Sequence, residues 1–128
     1  MLKQMLRWIG LCVAVVGAGI VACGSDAYGP AGTGGTPAVN EVWMQNMAFN
    51  PSTRTVTVGT KVTFINKDTL PHTVTSSSVP SGAATFNSGN LAANGTIQIT
   101  FNVAGTYQYF CSIHGTATTG MRGTVVVN

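Results

Sequence analysis

Val56-Thr57-Val58, Val62-Thr63-Phe64 and Ile97-Gln98-Ile99-Thr100-Phe101 set apolar against polar side chains one by one. That is the period of a strand showing one face to a core and the other to water. Such a period does not fit a helix face, and nothing beyond residue 22 carries a helical period of useful length. The pattern constrains the chain more than any other feature: it must build sheets that cover one another's apolar faces. Candidate strands are 39–47, 53–58, 61–66, 72–76, 96–102, 105–111 and 123–127, with turns at Gly59-Thr60, Ala93-Asn94-Gly95 and Ala104-Gly105. Residues 77–90 are rich in Ser, Gly and Asn, with Phe86 the one large apolar side chain. They are expected as a long excursion with room for one short edge strand. The expected architecture is all-β, a sandwich of about seven to eight strands.

The start of the chain has another character. Lys3 and Arg7 precede an apolar run over residues 8–22, the layout of a secretory signal. Ile20-Val21-Ala22-Cys23 resembles a bacterial lipobox, which implies cleavage before Cys23 and a lipid on its thiol. Cys12 does not fit that part, since Leu11 before it is bulky and the apolar run would be cut short. A plain secretory signal cleaved nearby, or an uncleaved anchor helix, are the alternatives. Residues 23–38 are rich in Gly, Pro, Ser and Thr and are expected as a flexible tether. One domain then spans 39–128. The expected location is outside the cytoplasm, lipid-anchored to a bacterial membrane and facing the periplasm or the exterior.

The formal charge of +3 includes Lys3 and Arg7. Without them, Arg54, Lys61, Lys67 and Arg122 stand against Asp26, Glu41 and Asp68, so the charge is near +1. No basic stripe points to nucleic acid. Cys111 is the one cysteine left in the domain, so no disulfide is available within it, and a thiol exposed to an oxidising compartment is a liability unless something occupies it.

A metal would occupy it. Cys111-Ser112-Ile113-His114 places a thiol and an imidazole three positions apart, Met121 follows in Gly120-Met121-Arg122-Gly123, and His72 is the only other histidine. Each has a bland explanation: a buried inert thiol, a surface histidine, a core methionine. Together, two imidazoles, a thiolate and a weak thioether are the donor set that suits copper cycling between Cu(I) and Cu(II).

Here the chain resembles the small blue copper proteins, cupredoxins of the plastocyanin, pseudoazurin and amicyanin kind. The segment from Phe64 to Val74 is similar to the one that carries their first histidine ligand, and Gly-Met-x-Gly-x-Val-x-Val to the one that carries their axial methionine. The resemblance implies a Greek-key sandwich holding one type 1 copper ion through His72, Cys111, His114 and Met121. It also implies a monomeric carrier shuttling single electrons between larger redox proteins that dock at the His114 end. There Leu70, Pro71, Ile113 and Ala117 would form an apolar surface. By the same resemblance the Thr73 N–H is expected at the Cys111 sulfur. Two departures stand out. The span from Cys111 to Met121 is longer than in plastocyanin, and Ile113 replaces a common proline, keeping an N–H that could also reach the sulfur. No enzymatic role is expected, because four such donors leave no open position for a substrate. The alternative function is copper binding or delivery at the periplasm or cell surface. A cysteine hydrolase lacks an oxyanion-hole signature, and a di-copper centre would need a second nearby cysteine.

Overall fold

The computed structural model describes residues 35–128, all of whose regular elements are strands. They are β1 (Glu41–Gln45), β2 (Ala48–Asn50), β3 (Thr53–Val56), β4 (Thr60–Asn66), β5 (Thr75–Ser78), β6 (Thr96–Phe101), β7 (Gly105–Gly115) and β8 (Gly120–Val127). One sheet has the order β2-β1-β4-β6 and the other β3-β8-β7-β5. The parallel pairs β1–β4 and β3–β8 join strands far apart in sequence, while β4–β6 and β7–β8 are antiparallel. This is the all-β sandwich expected from the alternation, with the Greek-key topology that the resemblance implied.

The period of two decides what the sandwich buries. On β7, Tyr107, Tyr109 and Cys111 point inward, and on β8, Met121, Gly123, Val125 and Val127 do the same. Val42, Met44, Val62, Phe64 and Phe101 face them from the other sheet. Tyr109 is the centre of this core, edge-on to Phe49 at 4.7 Å and to Phe64 at 5.3 Å between ring centroids. Cys111 and Met121 therefore belong to the inward rows and arrive at the same end of the second sheet.

Several boundaries differ from the expected ones. The single strand over 39–47 is two, because Asn46 and Met47 take φ values of 56° and 60° and reverse the chain between β1 and β2. His72 does not begin a strand: it makes an isolated bridge to Leu91, and the strand starts at Thr75. The excursion over 77–90 is tied back at its far end. Ser76 bonds to both the N–H and the carbonyl of Phe86, whose ring packs on Phe101 and Tyr109. Finally, β7 and β8 both run further towards each other, closing through a tight Thr116–Thr119 turn in which the Thr116 N–H donates to the Thr119 carbonyl. The expected signal, the Cys23 lipidation site and most of the tether lie outside the described residues.

Candidate metal centre

Three segments converge at the end of the sandwich. The first is the loop after β4, and its anchor is Asn66, which is fully buried. The Asn66 amide donates to the carbonyls of Leu70 (2.8 Å) and Leu91 (2.9 Å), and its oxygen accepts the Asp68 N–H (2.9 Å). Leu91 in turn exchanges two backbone hydrogen bonds with His72, at 3.1 and 2.8 Å. The loop is thus closed on itself, and His72 is held with no exposed surface.

The second and third segments are the irregular part of the β7–β8 hairpin. The strands pair at Phe110 with Arg122 and again at Gly115 with Gly120. Between those pairs β7 spends four residues, Cys111 to His114, and β8 only one, Met121. That mismatch pushes the Cys111–His114 segment out of the ladder and sets buried Met121 opposite it. Both glycines are required by the closure. A Cβ on Gly120, whose φ is +79°, would meet the Gly115 Cα at 2.7 Å, and one on Gly115 would meet the Met121 nitrogen at 2.8 Å.

The result is a compact set of donors. His72 Nδ1 lies 3.0 Å from His114 Nδ1 and 3.6 Å from Cys111 Sγ, and His114 Nδ1 is 3.5 Å from the same sulfur. A point equidistant from the three atoms sits about 2.0 Å from each, the length of a metal–imidazole bond. Among the described residues these are also the histidine, cysteine and carboxylate groups close enough to share an ion. A soft thiolate with two imidazoles suits copper better than a hard cation, so the residues fit the metal the donor types suggested.

Two outer contacts complete the geometry. Thr73 donates its N–H to Cys111 Sγ at 3.3 Å, as expected, and its hydroxyl accepts the Ser112 N–H at 2.8 Å, pinning the cysteine segment to the histidine loop. The Ile113 N–H makes no hydrogen bond to that sulfur. Behind His72 stands Asp68, with Oδ2 at 2.8 Å from Nε2. Burial pushes the Asp68 carboxyl up, but the N–H groups of Met47 and Asn46 and the contact with His72 outweigh it and hold it below the ordinary carboxylate value. Asp68 was not anticipated from the sequence, where it counted only as one of three acids. Its position four residues before a histidine, inside a turn, was the available signal. His114, unlike His72, is partly exposed, and Leu70 (53 %) and Ile113 (43 %) beside the two histidines leave large apolar surface open.

A β-sandwich that gathers two imidazoles and a cysteine sulfur at one end, with a buried methionine facing them, defines a small blue copper protein. The profile of the copper binding proteins of the plastocyanin/azurin family matches residues 38–128, and the chain belongs to that family. Plastocyanin of Scenedesmus fuscus is 39% identical over 87 residues, covering 63% of this chain and 87% of that protein. Amicyanin-alpha of Methylorubrum extorquens is 34% identical over 87 residues, covering 68% of this chain and 70% of that protein. The structure of an oxidised amicyanin variant superposes with a TM-score of 0.60 at 33% identity, over 69% of this chain and 80% of the other.

Proposed function

We propose that the protein binds one copper ion through His72 Nδ1, Cys111 Sγ, His114 Nδ1 and the Met121 thioether, and carries single electrons between larger redox proteins. The convergence of the three closer donors around one point carries this conclusion. Copper supplies a one-electron couple there, and the chain's own residues keep the donors in place. Thr73 and Ser112 lock the thiolate, Asn66 and Leu91 lock His72, and the Gly115–Gly120 closure holds Met121 opposite. A donor set held this firmly changes little between oxidation states, which suits a carrier rather than a catalyst. Titrating the copper-loaded oxidised protein with reductant should consume one electron per copper, and the reduced form should return it to an oxidised redox protein. If the reduced protein instead yields Cu(I) to a chelator faster than it yields its electron, copper delivery is the better description.

The electron would leave through His114, the partly exposed histidine of the two, and the surface formed by Leu70, Pro71, Ile113 and Ala117 would seat the partner. Such a patch, with few charges near it, fits brief encounters of small area. Export and attachment through a lipid on Cys23 rest on the signal-like sequence before it. Fatty-acid labelling in a bacterial host should mark the wild type and not Cys23→Ser; label on both would exclude the anchor.

A further inference from the structure

Asp68 does more than close a turn. Its Oδ1 accepts the Asn46 N–H at 2.8 Å, and its Oδ2 accepts the Met47 N–H at 3.0 Å and lies 2.8 Å from His72 Nε2. Asn46 and Met47 are the two left-handed residues of the β1–β2 turn, whose successive N–H groups form a small anion-binding concavity. The carboxylate's own position is fixed from behind, by the Asp68 N–H donating to buried Asn66 at 2.9 Å. His72 is fully buried, so the donor on its Nε2 has no water to turn to.

We propose that Asp68 is a positioning residue for the metal centre: it fixes His72 as the Nε2–H tautomer and ties that ring to the β1–β2 turn. An ionised carboxylate can only accept. In the neutral ring the proton therefore resides on Nε2, and the lone pair of Nδ1 is left facing Cys111 Sγ and His114 Nδ1 before any metal arrives. The negative charge behind the ring also strengthens Nδ1 as a donor and favours the more highly charged copper ion. Asp68 thus biases the centre towards Cu(II) without touching the metal.

This inference rests on the ligation proposed above, so its first readout is taken without metal. Nitrogen-resolved NMR of the metal-free protein should show His72 as the Nε2–H tautomer in the wild type. In Asp68→Ala it should show a mixture of tautomers. In chelator competition Asp68→Ala should bind copper 10–100-fold more weakly, the range typical for loss of such an outer contact. If Cu(II) loses about tenfold more affinity than Cu(I), the potential rises by about 59 mV. Asp68→Asn can still offer an oxygen to Nε2 but lacks the charge, so it should keep the tautomer and raise the potential by less. Asp68→Glu should recover part of the wild-type potential. A merely structural Asp68 would predict lower thermal stability with tautomer, affinity and potential unchanged, and that result overturns the proposal. Should Asp68→Ala fail to fold, an unchanged potential in Asp68→Asn would overturn it equally. A normal His72 tautomer in a protein that binds no copper would instead count against the ligation and leave the role of Asp68 in the ring's tautomer standing.

Discussion

Asn66→Ala probes the anchor beneath the metal centre. The Asn66 side chain is fully buried and makes three hydrogen bonds, two donated to carbonyls of Leu70 and Leu91 and one accepted from Asp68. At about 1 kcal/mol net for each bond, the substitution should cost roughly 3 kcal/mol, since its backbone partners remain with nothing to replace the amide. For a domain of this size each kcal/mol moves the midpoint by about 4–8 °C, so the melting temperature of the metal-free protein should fall by roughly 12–24 °C. Asn66→Asp is a sharper version. It retains an acceptor for the Asp68 N–H but turns a carboxylate oxygen towards two carbonyls, so it should be less stable than the alanine variant. Thermal and denaturant unfolding followed by circular dichroism would measure both. A loss below about 1 kcal/mol for Asn66→Ala, or an aspartate variant more stable than the alanine one, would refute the view that this amide organises the His72 loop.

Three other outcomes are expected. Gly123→Ala would place a Cβ 2.5 Å from the Tyr109 ring and hydroxyl, in a site already bounded by Phe49 and Phe64, and should cost about 1–3 kcal/mol by overpacking in chemical denaturation. Met121→Leu should retain copper and raise the reduction potential measured by voltammetry, because the lost thioether helps stabilise Cu(II); an unchanged potential would make Met121 a packing residue only. Ala117→Glu should slow electron exchange with the natural partner several-fold in stopped-flow experiments while leaving the visible spectrum as it was, whereas slowing on neutralising Lys61 or Lys67 instead would move the docking face.

Much of this was legible in the residues because strands write their burial directly into sequence. The alternation around Val62 and Ile97 is the alternation of the buried rows, and the same parity carries Cys111 and Met121 inward. The donor types of His72, Cys111, His114 and Met121 point to a metal without any coordinates. What could not be read depends on long-range closure. The reversal at Asn46-Met47 has no glycine to mark it and exists because a carboxylate more than twenty positions away captures its N–H groups. The bridge between His72 and Leu91 likewise depends on a partner far along the chain, so the strand signal that begins at His72 in the sequence becomes a regular strand only from Thr75. The longer span from Cys111 to Met121 gave no local sign of how it closes. It is absorbed by a hairpin extension that pairs Gly115 with Gly120, leaving Met121 alone opposite the cysteine–histidine segment.

The most direct test of the central claim is the visible absorption spectrum of the protein loaded with one equivalent of Cu(II), recorded beside Cys111→Ser. A thiolate bound in a trigonal site with two imidazoles and a weak axial thioether should give an intense blue charge-transfer band that vanishes on reduction and is absent from the serine variant. A pale, weakly absorbing copper complex in the wild type, or an intense band that survives in Cys111→Ser, would contradict the account.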